Sequence, residues 1–487
     1  MARYAPLFSH LHIYDLPAPD IPYQTHGSQD IDRLIRIRLM KKTHAIRAQS
    51  RHSLMLSLTL LAASAYPIAG HSAEAFSSQS PWMTGDWGST RSQLSEKGID
   101  FQLGYTMESA ANLAGGYRSS TTARYSDQWL FGVDMNLEKL LNWQDTEFRM
   151  TITNRDGQNI ADQVADPRSG MLSSPQEVWG RGQTWRLTQF WLRKGWFDHR
   201  LDIKAGRMTV GEDFDSSNSQ FQNLALGSGQ AGNWRGDHWF NWPVSQWGGR
   251  VKLSLAPDVY LQAGFYNQNP YNAERGDGFR FEFSPTTGNL IPVELVWTPT
   301  LGADQLPGNY RIGYYYSSAN DNVYGSWRHQ RFEQASHAYG GYLVAQQQLT
   351  TWHGSADRGL TLTAQAVMND HKTSKTDNYQ SLALTWKGPF DARPQDEVGL
   401  GVARIHVNSS YTRWLQQQNL ENGVSRYNSP TYLPVQSGTE VNYELYYNVQ
   451  VAPWLQVRPD LQYVTAPGAV SQVKNAFIGG LSANIIF

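Results

Sequence analysis

Val441-Asn442-Tyr443-Glu444-Leu445-Tyr446-Tyr447-Asn448-Val449-Gln450-Val451 is the stretch that decides the fold. Val441, Tyr443, Leu445, Tyr447, Val449 and Val451 form one set; Asn442, Glu444, Tyr446, Asn448 and Gln450 form the other. A period of two belongs to a strand whose two faces meet different surroundings. The run is also about 10 residues long, the length a tilted strand needs to cross the hydrocarbon of a bilayer.

Outward from this stretch the same alternation recurs. Ile99, Phe101, Leu103, Tyr105 and Met107 interleave with Asp100, Gln102, Gly104, Thr106 and Glu108. Trp129-Phe131-Val133-Met135, Phe148-Met150-Ile152, Leu360-Leu362-Ala364-Ala366 and Leu382-Leu384-Trp386 repeat it. Strands are predicted near 99–107, 127–137, 146–153, 184–194, 201–208, 246–256, 260–267, 290–298, 309–316, 339–350, 360–368, 379–387, 397–407, 440–451, 455–465 and 476–487. That is 16 strands, an even number, as a single-chain bacterial barrel requires.

Connection lengths add to this. Leu137–Thr146, Gly195–Arg200, Ala256–Asp258 and Ala452–Trp454 are short; Asn154–Gln183, Glu212–Ser245, Asn267–Asn289, Ser317–His337 and Asn408–Thr439 are long. Short turns on one rim and long loops on the other are the layout of an outer-membrane barrel. Phe487 ends an alternating run through Phe477, Gly479, Leu481, Ala483 and Ile485. A terminal aromatic strand of this kind resembles the signal read by the barrel-assembly machinery, and closing it against the first strand removes both sheet edges. Arg458-Pro459-Asp460 conflicts locally with a closed ladder, because proline has no N–H to give, so a bulge is expected near Pro459.

The only long apolar run, Leu54 to Ala65, is too short to span a bilayer as a helix. It follows Met40, Lys41, Lys42, Arg47 and Arg51 and precedes Ala73-Glu74-Ala75, the order of a secretory signal peptide. The predicted organisation is an over-extended start or disordered leader over 1–39, a signal peptide over 40–75, a periplasmic segment over 76–98, and a barrel over 99–487. Thr90 to Lys97 is expected to form a short periplasmic helix, with Leu94 as its apolar anchor and Gly98 as its stop. The fold class is thus all-β, a transmembrane antiparallel barrel with long extracellular loops.

With no cysteine among 487 residues, disulfides and thiolate metal sites are excluded, and a net charge of −1 argues against a nucleic-acid partner. Gly-x-Ser-x-Gly, His-Glu-x-x-His, a phosphate-binding glycine loop and an EF-hand are all missing, so no enzyme, cofactor or metal is expected. Glu212-Asp213-Phe214-Asp215 could bind a cation or serve as a carboxylate pair, but such a run is more often a solvated loop.

Gly85-Asp86-Trp87-Gly88, Arg91, Leu94 and Gly98-Ile99 resemble the start of carbohydrate-selective porins. The resemblance continues through Asn112–Gly116, Gly206-Arg207, Gly211–Phe214, Phe221-Gln222-Asn223, Asn241–Trp247, Pro292-Val293-Glu294 and Arg458–Val464. It implies an outer-membrane porin admitting monosaccharides such as glucose, in contact with lipid and lipopolysaccharide, and raises a homotrimer as the assembly to test. The family's cysteine pair near the Phe-Gln-Asn block is missing; Ser217 or its neighbours and Gly227 stand there, so loop pinning is expected to be non-covalent. Gln158 stands where the family often has a second basic residue.

A channel for neutral sugar needs hydroxyl donors and acceptors beside flat apolar faces, without tight binding. The candidates are Glu147, Arg149 and Arg155 on the polar face of the third strand, and Glu444, Arg458 and Asp460 on the fourteenth and fifteenth; position by position, the blander reading is a solvated lumen wall that selects nothing. Trp234, Asp237 and Trp239 join them from the 34-residue loop Glu212–Ser245, which is long enough to fold inward; the equal alternative is that these tryptophans pack the loop against the barrel wall or join an interfacial belt. Trp297, Trp352, Trp386 and Trp454 are read as an interfacial belt. Two other readings stand: a general porin of the same fold, and a secreted β-rich glycan-binding protein or glycosidase.

Overall fold

The computed structural model describes residues 75–487 apart from Asp237. The expected leader and signal peptide, all but Ala75, lie outside the described residues.

Sixteen long strands form the wall. They are β1 Ile99–Gly116, β2 Ala123–Asn136, β3 Thr146–Gly157 and β4 Trp185–Trp196. Then come β5 Leu201–Met208, β6 Gln246–Ala256, β7 Val259–Gln268 and β8 Gly288–Trp297. β9 Leu306–Ser317, β10 Ala338–Gln348, β11 Gly359–Asn369 and β12 Thr376–Lys387 follow. β13 Glu397–Val407, β14 Thr439–Ala452, β15 Leu455–Thr465 and β16 Lys474–Ile486 complete the wall. Each pairs antiparallel with its sequence neighbours, and β16 closes on β1 with Tyr105 opposite Ile485. β1 runs well past the expected end at 107, because Ser109-Ala110-Ala111 is too small to mark a face yet stays in the ladder.

The alternation is inverted relative to a soluble sheet. On β14, Glu440, Asn442 and Glu444 are 0–1% exposed, whereas Leu445 is 46% exposed. The apolar set therefore faces outward to lipid and the polar set fills the interior. Trp297, Trp352, Trp386 and Trp454 lie at or beside the strand ends of the short-turn rim, as expected of a belt. Not every connection on the opposite rim is long: 117–122, 370–375 and 466–473 are brief.

Two prolines sit inside the ladder without the expected bulge. Pro459 pairs in register with Leu481 on β16, while toward β14 the ladder simply skips from Tyr446–Asp460 to Val449–Val457. Pro292 on β8 leaves the same kind of in-register gap between Ala263–Val293 and Tyr266–Leu290. Loss of a donor costs pairings but no shift in register, since neighbouring pairs hold the alignment.

The closure seam has its own lock. The Phe487 N–H donates to the Leu103 carbonyl at 3.0 Å, and its ring stacks on Trp129 at 5.6 Å between centroids. A short helix, α1 Thr90–Glu96, precedes β1. Its buried residue is Arg91, not the expected Leu94. The Arg91 guanidinium lies 4.2 Å from the Trp82 ring and 5.0 Å from Trp87, and donates to the Phe487 and Phe101 carbonyls. A planar cation can sandwich between rings while bonding two carbonyls, which Leu94 cannot do. Gly98 ends this segment at φ 95, where a Cβ would sit 2.9 Å from the Asn136 carbonyl oxygen.

Candidate functional site

Two connections turn into the barrel: the β3–β4 loop, 158–184, and the β5–β6 loop, 209–245. Their backbone N–H groups have no ladder to join, and buried donors of this kind need acceptors. Wall carboxylates supply them. Glu440 accepts from Leu172 and Ser173 at 3.0 Å each, and Glu108 accepts from Val178 at 3.1 Å, holding the first loop. Glu444 accepts from Gln222 and Asn223, and Glu294 accepts from Asp215 at 2.8 Å, holding the second. Such charge-assisted bonds are each worth roughly 1.5–3 kcal/mol. The loops also bond to each other, Leu224 N–H to the Ser174 carbonyl at 2.9 Å and Glu177 N–H to that of Gln222 at 3.1 Å. Where the family's cysteine pair would stand, the Ser217 N–H donates to Ser228 Oγ at 2.9 Å.

Aromatic side chains pack the second loop onto the inner wall. Trp239 is fully buried, edge-on to Tyr315 and Tyr342 at 5.7 and 5.8 Å, and Trp234 lies against Tyr379 at 5.3 Å. Phe221 meets Tyr446 at 4.8 Å. Asp237 lies outside the described residues. The acidic run at the root of this loop is not solvated: Lys204 pairs with Glu212 at 2.6 Å and with Asp213, while Asp215 is buried.

Opposite this packed side, Arg155 is placed by β3 at the loop-bearing end of the lumen. Its Nε donates to Gln128 Oε1 at 2.8 Å, and the Trp242 indole N–H donates to the same oxygen at 2.9 Å. The acidic charges of Glu177 and Glu108 and the basic charges of Arg181 and Arg186 act on Arg155. Burial lifts the Glu177 carboxyl above its ordinary range, while Arg458 and Arg155 pull it back. Two acids and two arginines, Glu108, Glu177, Arg155 and Arg458, thus share one region at the junction of the two loops and the wall.

Residues 120–487 match the family described as carbohydrate-selective porin, OprB family.

The chain belongs to that family.

It is 52% identical over 428 residues to Porin B of Pseudomonas aeruginosa, covering 86% of this chain and 94% of that one. The high-pH structure of Pseudomonas putida OprB superposes with a TM-score of 0.83 at 48% identity, over 85% of this chain and all of that one. The low-pH structure of the same protein gives a TM-score of 0.55 at 36% identity, with the same coverage. This carbohydrate-selective porin is therefore an outer-membrane sugar channel, not an enzyme, and the glycosidase reading falls.

The residues singled out in the porin's sequence divide into groups. Arg155 and Arg458 come together through Glu108 and Glu177. Glu444 is spent on loop amides, and Asp460 accepts from Gln462 at 2.9 Å, against Gly480, where a Cβ would collide with its carboxylate. Arg149 and Glu147 sit toward the short-turn mouth, bonded to Asp134 and Arg193 respectively. Trp234 and Trp239 pack the loop on tyrosines of the inner wall, the alternative to a sugar face; Trp239 is fully buried, while Trp234 at 9% exposed is no more buried than Arg155 at 8%. Sequence reasoning missed Gln128, Glu177 and Arg181 at the junction. Gln128 was legible as the inward neighbour of Trp129; Glu177 and Arg181 lie in an aperiodic loop, where no period assigns a face.

Proposed function

We propose that this porin admits neutral monosaccharides such as glucose by passive diffusion, through an eyelet where Arg155, Glu177, Arg181 and Trp242 border the path. The observation that carries this reading is the single Gln128 oxygen shared by Arg155 and Trp242. It fixes a guanidinium beside a half-exposed indole that has no ring partner among the described residues. Arginine donates to two hydroxyls at once, a neighbouring carboxylate accepts a hydroxyl proton, and an indole covers the C–H face of a pyranose. Each hydrogen bond is worth about 1 kcal/mol net, so the sugar is recognised and still leaves quickly.

Arg155→Ala and Trp242→Ala should each weaken sugar block of the ion current without abolishing conductance. A general porin of the same fold would show no difference between hexoses and other neutral solutes of equal size.

The same reading places the outer apolar girdle against lipid and lipopolysaccharide and gives Phe487 to the barrel-assembly machinery. A homotrimer is tested by the mass of the detergent-extracted protein. The leader reading predicts Phe76 as the first residue of the exported chain.

A further inference from the structure

Arg149 lies on the same lumen face of β3 as Arg155, six residues nearer the short-turn mouth, or about 20 Å at the rise of a strand. One pyranose cannot reach both. Arg149 is less closed in than Arg193 and Arg250, the nearby arginines on β4 and β6. Arg193 spends all three nitrogens on Asp202, Asp145 and Glu147, and Arg250 is closed in by Asp202 and Asp213. Arg149 uses only Nε and Nη2, both on the carboxylate of Asp134 directly opposite on β2. Its Nη1 makes no hydrogen bond among the described residues, and the two side chains remain 33% and 28% exposed.

The pair is also held in place. Gln102 on β1 donates to Asp134, fixing the acid from the far side. The guanidinium carbon lies 5.2 Å from the Trp191 ring centroid, and the Lys204 ammonium lies 4.9 Å from the same ring. An oriented guanidinium with one free edge, next to a carboxylate whose Oδ1 takes only one of the three donors, matches a neutral vicinal diol: the edge donates to two hydroxyl oxygens and Oδ1 accepts a hydrogen bond from a hydroxyl. Charged solutes fit worse, since an anion meets Asp134 and a cation meets Arg149.

We propose that Arg149 and Asp134 form a second saccharide subsite, between the eyelet and the short-turn mouth, that receives neutral monosaccharide leaving the eyelet. This rests on the reading of the lumen as a monosaccharide path. The test is glucose-induced current noise of the full porin in a planar bilayer. Two relaxation components are expected in the unaltered protein. Arg149→Lys, which keeps the charge opposite Asp134 but loses the fork, should shorten residence in one component about five-fold, the factor for one hydrogen bond of about 1 kcal/mol. Arg149→Ala should abolish that component, and Arg155→Ala should remove the other. If Arg155→Ala alters the noise while both Arg149 variants leave it unchanged, the subsite is overturned and the eyelet stands. If no variant at either arginine changes the noise, both fall.

Discussion

The Glu444 carboxylate accepts the backbone N–H of Asn223 at 2.7 Å, so the barrel wall grips the tip of the inward loop without any covalent bond. Its other oxygen takes the Gln222 N–H at 2.8 Å. Glu444→Ala leaves two buried amides unpaired, at about 1–3 kcal/mol each. Expected outcomes are a loop that opens more often, seen as larger open-channel current noise, and a lower thermal midpoint. The barrel should still form, because the ladder does not use this side chain.

Trp239 and Trp242, three residues apart, are predicted to separate packing from transport. Trp239→Ala removes a fully buried indole and should destabilise the loop by roughly 3–5 kcal/mol, raising conductance noise for ions and sugars alike. Trp242→Ala should leave the thermal midpoint nearly unchanged and weaken glucose block. Paired melting and block measurements on the two variants distinguish these roles.

Much of the wall was legible in the sequence because lipid and lumen impose opposite demands at every second residue, so runs such as Val441–Val451 declare both faces. Small residues weaken that signal, which is why the reach of β1 through Ser109-Ala110-Ala111 was not visible. The inward side of the site was only half legible. Arg155 could be placed because β3 alternates around it. Trp239 could not, since in a loop neither period nor composition tells an indole packed on tyrosines from one lining the path. Glu444 was recognised as an inward carboxylate, but its work on loop amides depends on partners more than 200 residues away.

On the outer face, Leu445 lies midway along β14 and points to lipid, next to the inward Glu444. Leu445→Arg should cost about 2–4 kcal/mol, as for a charge at the midplane of a membrane barrel. Urea-induced unfolding in lipid vesicles checks this. Exchange of the lumen-facing Gln450 for Arg should cost far less.

Asp215, buried in the β5–β6 loop, has its carboxyl pushed up to about 8, chiefly by burial and then by the Glu294 charge, against the pull of the Ala231 N–H and Arg311. Between about pH 4 and 8 the folded loop keeps a proton that the unfolded chain has released. The contribution is therefore fully present below about pH 4, declines as pH rises, and is gone above about 8. Loop-opening noise should be greater at pH 9 than at pH 5, and Asp215→Asn, which cannot lose a proton, should flatten that difference.

Glucose block of single-channel current, titrated side by side for the unaltered porin and Arg155→Ala, tests the proposed eyelet most directly. The account predicts concentration-dependent block in the unaltered porin, weakened about five-fold or more by loss of the arginine fork, with ion conductance retained. Equal block in both proteins would contradict the account and return the eyelet assignment to another part of the lumen.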